Sequence, residues 1–435
     1  MANQQIFCNT PWYEAHIYWD GSLGICCQES RRIHSNNQTF NIKNISLKEW
    51  FNSEPVRQFR KDILSDTPTD ICSKCYHEES VEGSSRRVRA NQKSVIFTNT
   101  SFRNSYLQSP GYPNFESSRS NDGYTNTFPI DLHIDLGNYC NLACKMCDPK
   151  ASSTIAVQHV KWGIENDRQY LGNDWTKDKT VWERFLNELL TIPKLKNIHF
   201  MGGETLLTDR FETLVDFMIE HKRFDLSFSF VTNGTAYNQR LIDKLKKFTR
   251  VGIEVSMEST TVHNAYIRQG TDTNLVLSNL EKYKINCDNS SISVTMRPAI
   301  SALSIGYYHT VLDYCLQNNT LIKSLAVTSP KYLNVDVLPK EVKEQYMTNY
   351  QKILLKLDDV SIDNQFNESD SNNYKKSVKI QAIQCLNLLK QIEPNNQEEL
   401  LKSMVEQCRR WDSVYNLNAR ELYPELAGIF NQYDY

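Results

Sequence analysis

The sequence predicts an α/β fold. A parallel sheet of six βα units, closed or curled as a partial barrel, follows a small cysteine-rich N-terminal domain and precedes a helical C-terminal region. Three observations predict it. From residue 129 to about 338, short strand-like runs alternate with amphipathic helical segments, the pattern of a parallel sheet with helices outside it. Cys8, Cys26, Cys27, Cys72, Cys75, Cys140, Cys144 and Cys147 fall at short spacings or in patterned pairs, all before that array is well under way. From 339 onward the strand rhythm stops. At 435 residues the chain exceeds one average domain, and its 40% hydrophobic content suffices for a core.

The first domain is placed at 1–90. A helix is expected to start near Ser46, which with Glu49 has capping-box spacing. Leu47, Trp50, Phe51, Val56, Phe59, Ile63 and Leu64 supply its apolar stripe, broken by Pro55. Residues 91–128 are expected to be a linker or long loop, because 98–127 are rich in Ser, Asn, Gly and Pro. The β/α core is placed at 129–338. Its strands are IDLHIDL (130–136), NIHFM (197–201), LSFSFVT (226–232), VGIEVSM (251–257), SISVTMR (291–297) and IKSLAVT (322–328). A helix is expected from Thr180, again with a glutamate, Glu183, three residues on. In 339–435 three helices are expected, within 340–357, 374–392 and 400–415, and no internal repeat of fixed period occurs.

Charge excludes several partners. The 49 basic and 51 acidic residues balance, which leaves no long-range field for nucleic acid or an anionic membrane. A short basic run of Arg86, Arg87, Arg89 and Lys93 is most simply a solvated linker edge. The N-terminus has no basic head followed by an apolar run, and no apolar window reaches bilayer length. The expected location is therefore the cytoplasm, where twelve cysteines argue for metal ligation rather than a disulfide framework. Cys287, Cys315, Cys385 and Cys408 stand alone and are expected to be small buried apolar residues.

YCNLACKMC, residues 139–147, follows the first strand of the β/α array. A zinc site or a fully ligated iron–sulfur cluster asks for four ligands. Three cysteines at C-x3-C-x2-C spacing can instead hold three irons of a 4Fe–4S cluster, and the fourth would then be free. This motif, after the first strand of a six-unit β/α array, resembles the radical S-adenosylmethionine (SAM) superfamily, whose fold is a partial (β/α)6 TIM-like barrel. The resemblance implies that the open iron binds the amino and carboxylate groups of SAM. Electron transfer from the cluster then gives a 5′-deoxyadenosyl radical that abstracts a substrate hydrogen. Met146 stands where relatives usually carry an aromatic residue, and its apolar side chain can still pack over a cluster.

The resemblance continues along the array. FMGGETLL ends the second strand and resembles a Gly-Gly-Glu-Pro stretch that holds the SAM amino group. It implies close backbone approach at Gly202 and Gly203 and hydrogen bonds from the ammonium to Glu204; Thr205 replaces the usual proline. Asn233 lies in TNG (232–234), at the end of the third strand. Ser256 and Glu258, in SMEST (256–260) at the end of the fourth, resemble positions that contact the SAM ribose or carboxylate. Arg268, in YIRQG, resembles an arginine that pairs with the SAM carboxylate, as a guanidinium fork suits.

The amino-terminal cysteines resemble the auxiliary-cluster module called twitch or SPASM. Twelve residues separate Cys8 from Gly21 and four separate Gly21 from Cys26, and Gly21 sits in a hairpin-turn signal, WDGSLG. The hairpin would bring Cys8 and Cys26 together, and the C-x2-C pair Cys72 and Cys75 would complete a four-thiolate site. Relatives usually carry the module after the barrel; here it precedes it. Cys27 either replaces Cys26 as a ligand or packs. A structural zinc is the competing chemistry, and the glycine spacing and the company of the array favour a second 4Fe–4S cluster.

Three functions stay open. A radical SAM enzyme could modify a peptide or protein side chain by an oxidative reaction, as many SPASM-bearing relatives do. It could act on a small molecule or nucleotide. Or the chain could be a non-catalytic iron–sulfur or zinc protein, which an open iron site and a SAM clamp argue against. Implied partners are the substrate and a flavodoxin- or ferredoxin-type reductant. No catalytic residue stands out; Asp336 is a candidate base beyond the last strand, and a solvated loop aspartate is its simpler reading.

Overall fold

The computed structural model describes residues 6–433 except 30, 36–37, 83–84, 97–114, 127, 173, 193 and 362–372. Fourteen strands occur among the described residues. In the N-terminal region they are β1 (Glu14–Ile17), β2 (Leu23–Gly24), β3 (His34–Ser35) and β4 (Gln38–Thr39). Then come β5 (Asp131–Asp135), β6 (Ala143–Cys144), β7 (Asn197–Met201), β8 (Ser227–Thr232) and β9 (Arg250–Val255). The last five are β10 (Arg268–Gln269), β11 (Ile292–Met296), β12 (Ala299–Ile300), β13 (Leu321–Ile322) and β14 (Leu325–Ala326). The main sheet has the order β13-β11-β9-β8-β7-β5-β1-β2. Its first six strands follow chain order, and helices fall between them, which is the partial (β/α)6 barrel. The sixth strand is shorter than the expected 322–328: two two-residue strands stand there, β13 (from Leu321) beside β11 and β14 beside β12.

The chain divides into two compact units. The first comprises Met1–Cys140, Pro149–Phe230 and Asp243–Val251. Here β1 runs antiparallel to β2 across a turn at Gly21, whose φ of 85° favours glycine. β1 is also parallel to β5, β5 to β7 and β7 to β8. Side chains alternate across a strand, so register sorts them onto two faces. Ala15, Ile17, Leu132, Ile134, Ile198, Phe200, Phe228 and Phe230 share one face and are all buried. Phe200 meets Phe211 of the helix Asp209–Glu220 edge-on at 4.8 Å. Burial of each such large side chain is worth about 1.5–3 kcal/mol. The other face carries a row in direct register: His16, His133, His199 and Ser229.

Helix starts follow local chemistry. Ser46 forms the expected capping box with Glu49. The apolar stripe divides into two helices, Leu47–Phe51 and Glu54–Leu64, because Pro55 begins the second, where a missing N–H costs nothing. The helix expected from Thr180 begins at Lys179 and is capped by Asp178, whose carboxylate accepts from the Val181 N–H. Helices at Arg86–Ile96 and Phe115–Ser120 lie inside or beside the expected linker; most of its central stretch, 97–114, lies outside the described residues. Arg60, fully buried, donates to the carbonyls of Pro11, Phe51 and Gly123.

The second unit comprises Asn141–Asp148, Val231–Ile242 and Gly252–Tyr435. β6 pairs antiparallel with β10, and β11 runs parallel to β13. Three long helices follow as expected, at Lys340–Leu355, Asn373–Leu389 and Gln397–Tyr415. Cys287, Cys315, Cys385 and Cys408 are all buried. No helix among the described residues is long and apolar enough to cross a membrane.

Candidate metal and cofactor sites

In the first unit, the chain leaving β5 is fixed before it reaches the cysteine loop. The Asn138 side-chain amide donates to the carbonyls of Pro149 and Tyr170, each at 2.9 Å. The Cys140 N–H donates to Ser153 Oγ at 3.3 Å, and the Thr154 hydroxyl donates to the Cys140 carbonyl. The loop after β7 locks onto the same stretch: the Glu204 N–H reaches the Tyr139 carbonyl at 2.8 Å and the Gly203 N–H the Ala151 carbonyl at 3.1 Å. Gly202 and Gly203 both have positive φ. An added Cβ on Gly203 would lie 2.5 Å from the Tyr139 carbonyl oxygen. At Gly203 the backbone of the cysteine loop makes this close approach, whereas a Cβ on Gly202 would meet the Asp135 side chain at 2.7 Å. Glu204 is buried, and its carboxylate accepts from the Leu206 N–H.

In the second unit, Cys144 and Cys147 form a tight turn, with the Cys147 N–H on the Cys144 carbonyl at 3.0 Å. β10 straps this turn, placing Arg268 opposite Cys144. A hydrogen bond with Cys147, and then the nearby Arg268 guanidinium, hold the Cys144 thiol below its ordinary range. Arg268 Nη1 lies 3.7 Å from Cys144 Sγ. Its Nε and Nη2 make a two-pronged, buried ion pair with Glu258. Glu258 Oε1 also accepts from the Ala299 N–H at 3.0 Å. The sequence did not anticipate this pairing: two residues expected to reach a ligand separately hold one another. Ser256 is buried beside Thr232, whose carbonyl accepts its N–H at 2.9 Å. Asn233 donates to Asn141 Oδ1 at 2.9 Å.

Lys145, between the two cysteines, was not singled out from the sequence. It is 4% exposed, and its ammonium has no hydrogen-bond partner among the described residues. It lies 4.4 Å from the Trp411 ring centroid, 4.9 Å from Tyr266 and 5.2 Å from Tyr415. Burial pushes its pKa down to about 7. Only long-range packing against Gln397–Tyr415 identifies it. Asp336 is half-buried in a short 3-10 turn, and burial raises its pKa.

The N-terminal cysteines converge within the first unit. Cys8, Cys26, Cys72 and Cys75 line one pocket, together with Arg86 and Arg87. Burial raises the Cys8 thiol to about 11 and the Cys72 thiol to about 12, and it raises Cys26 as well. Four sulfurs around a single pocket match the donor set of a fully thiolate-ligated cluster. Cys27 is not part of that wall. Its sulfur lies within 4.8 Å of a carboxylate oxygen of Glu14 and a ring nitrogen of His133. Arg86 and Arg87 are not a solvated edge either. Arg87 forms a buried pair with Glu79, and Arg86 pairs with Glu14, which is itself 1% exposed. A strand-borne glutamate at β1 was the available signal, but nothing local marks it as an arginine partner 72 residues away.

Comparison with known proteins agrees with both halves. The Radical SAM superfamily profile matches residues 134–299, and the SPASM iron-sulfur cluster-binding domain profile matches residues 8–76. The radical SAM cyclopropyl synthase TigE of Paramaledivibacter caminithermalis is 22% identical over 230 residues, covering 49% of this chain and 46% of that protein. The chain thus spans about half the length of this curated relative. Among solved structures, native anSMEcpe with bound AdoMet aligns with a TM-score of 0.39 and 18% identity, over 53% of this chain and 61% of that one. SuiB of Streptococcus suis bound to S-adenosylmethionine aligns with a TM-score of 0.36 and 13% identity, over 64% and 61%.

Proposed function

Starting from a chain that carries a SPASM iron–sulfur domain followed by a radical SAM domain, we propose that this protein modifies a peptide or protein side chain by an oxidative radical reaction. A radical SAM domain implies a 4Fe–4S cluster and SAM, and a SPASM domain implies auxiliary iron–sulfur. The observation that carries the reading is the pocket lined by Cys8, Cys26, Cys72 and Cys75, because a second redox centre suits a reaction that removes an electron as well as a hydrogen. SuiB, a structural neighbour, has been captured with its precursor peptide SuiA, which favours a peptide over a small molecule.

The residues take the following roles in this reading. Cys140, Cys144 and Cys147 would hold the SAM-binding cluster, and Cys8, Cys26, Cys72 and Cys75 would hold the auxiliary one. Bound together, cluster and SAM supply a carbon radical able to abstract a substrate hydrogen. Glu204 would accept from the SAM ammonium, while Gly203 lets its loop close on the cysteine loop and Gly202 lets it pass the Asp135 side chain. Asn233 and Ser256 offer polar contacts from the strand ends. Arg268 has its fork occupied by Glu258 and so acts through its remaining nitrogen, toward the Cys144 sulfur, rather than as a free carboxylate clamp.

The test is anaerobic reconstitution followed by iron analysis, then incubation with SAM, dithionite and synthetic candidate peptides. Mass spectrometry follows 5′-deoxyadenosine and the peptides. The reading expects about eight irons per chain, 5′-deoxyadenosine formation, and a peptide product lighter by two hydrogens. Loss of 5′-deoxyadenosine formation is expected when Cys140, Cys144 and Cys147 are all replaced by alanine; undiminished cleavage in that variant overturns the assignment.

A further inference from the structure

Two arginines line the auxiliary-cluster pocket, and their hydrogen-bonding differs. Arg87 is committed: Nε donates to Glu79 Oε1 at 3.0 Å, Nη2 to Glu79 Oε2, and Nη1 to the Phe7 carbonyl at 3.2 Å. Arg86 is clamped only at one end. Its Nη2 pairs with Glu14 Oε2 and lies 3.3 Å from His133 Nε2. Its Nε–H is buried and has no acceptor among the described residues. A buried N–H without a partner costs about 1–3 kcal/mol, so an acceptor is expected when the pocket is filled. The atoms an iron–sulfur cluster brings there are sulfurs carrying negative charge.

We propose that Arg86 is a tuning residue of the auxiliary cluster: its Nε–H donates to a cluster sulfur, and its charge, fixed by Glu14 and His133, raises the cluster's reduction potential so that it accepts an electron. The proposal rests on Cys8, Cys26, Cys72 and Cys75 being the ligands. Reduction adds negative charge, a nearby cation stabilises the reduced form more than the oxidised one, and hydrogen bonds to sulfur act in the same direction.

The clamp gives this charge a fixed place. Glu14 sits on β1 and His133 on β5, directly bonded neighbours in the sheet. Their other atoms are also unsatisfied: Glu14 Oε1 and His133 Nδ1 have no hydrogen-bond partner among the described residues. Glu14, Cys27 and His133 lie close enough to ligate a divalent ion, but the guanidinium already sits on both the carboxylate and the imidazole. A second cation would meet Arg86 at its partners, and Glu14 already has its counter-charge. Glu14 and His133 are therefore assigned to holding Arg86, and Cys27 stays outside the cluster.

The experiment is an anaerobic potentiometric titration followed by electron paramagnetic resonance. The background is full-length protein with Cys140, Cys144 and Cys147 replaced by alanine, so that only the auxiliary cluster reports. Arg86→Gln is expected to keep about four irons and lower the reduced-to-oxidised ratio at fixed potential tenfold or more, about 59 mV for a one-electron couple. Arg86→Lys, which keeps the charge and loses the Nε–H, should fall less. Glu14→Gln, which removes the counter-charge, should move the ratio the other way. An Arg86→Gln midpoint equal to that of the unsubstituted background overturns the proposal. If Arg86→Gln takes up no cluster, Glu14→Gln decides: a rise supports the proposal, and no change or a fall overturns it. Zinc in place of iron in the background protein would instead overturn the iron–sulfur reading of the pocket on which the proposal rests, which iron and zinc analysis shows separately.

Discussion

Gly203→Ala tests how the β7 loop and the cysteine loop fit together. Gly203 has φ of 58°, where an L-residue costs about 1–2 kcal/mol. Its Cβ would meet the Tyr139 carbonyl oxygen at 2.5 Å and the Tyr139 nitrogen at 3.0 Å. Both are backbone atoms, so no side chain can rotate aside, and overpacking adds about 1–3 kcal/mol. Any shift lengthens the 2.8 Å bond from the Glu204 N–H to the same carbonyl, worth about 1 kcal/mol. The expected loss is about 2–6 kcal/mol, a large share of the 5–15 kcal/mol that holds a typical domain. Gly163→Ala is the control. Its φ is 83° but nothing lies within 4 Å of the added Cβ, so only the backbone cost of about 1–2 kcal/mol applies. Urea unfolding of the metal-free protein measures both, and iron per chain after reconstitution measures the consequence for the cysteine loop. Equal unfolding midpoints for the two variants, with full iron in Gly203→Ala, would refute the reasoning.

Three further outcomes are expected. Glu258→Ala strands the buried Arg268 guanidinium and should cost about 3–5 kcal/mol in urea unfolding, whereas replacing the pair with Glu258→Leu and Arg268→Met should recover most of it; a double variant as weak as the single one would refute a pair-based cost. Cys72→Ala with Cys75→Ala should lower iron from about eight to about four per chain while reductive SAM cleavage continues, and loss of cleavage in a folded variant would contradict separate clusters. Burial holds Lys145 at about 7 against an ordinary 10.5, so as pH falls from 10.5 toward 7 the unfolded chain takes up the proton first and metal-free stability should decline across that window. Lys145→Met should flatten this decline, and an unchanged pH profile would show that the amine is not buried in solution.

What was legible in the sequence was whatever repeats at short range. The period-two runs located five barrel strands to within one or two residues, because one face of each is buried and register is strongly held. The sixth was overread, because 322–328 is apolar enough for a strand yet its backbone pairs in two short pieces with different neighbours. Ser46 and Glu49 cap a helix as their spacing says, but at Lys179 the nearer Asp178 outcompetes the Thr180 and Glu183 pattern. The convergence of Cys8, Cys26, Cys72 and Cys75 on one pocket was legible from a hairpin-turn signal and a C-x2-C pair. Partners chosen by the fold were not. The pairing of Arg268 with Glu258 was not foreseen, Lys145 with Trp411 was invisible, and Arg86 with Glu14 looked like solvent-facing charge. Each joins residues that only tertiary structure brings together, and a lone arginine or glutamate carries no local mark of its partner.

The position of the cysteine-rich module ahead of the barrel poses a physical question, since relatives place it behind. Sheet topology answers it within the first unit. A strand added beside β5 extends the sheet whichever end of the chain supplies it, and β1 does so in parallel register from Glu14↔Asp131 to Ile17↔Ile134. The hairpin from β1 to β2 then carries Cys26 back toward Cys8, and the helices that follow deliver Cys72 and Cys75 to the same pocket. Parallel pairing sets which β1 side chains stand beside β5, so it also decides that Glu14 and His16, not Ala15 and Ile17, face His133 and Asp135. A one-residue slip would turn Ala15 toward His133 and leave Arg86 without its carboxylate. Inserting one residue between Tyr13 and Glu14 should therefore damage the auxiliary pocket more than removing any single apolar contact of β1. Iron content of the insertion variant after reconstitution checks this, and a full complement of about eight irons would show that the pocket does not depend on the β1 register.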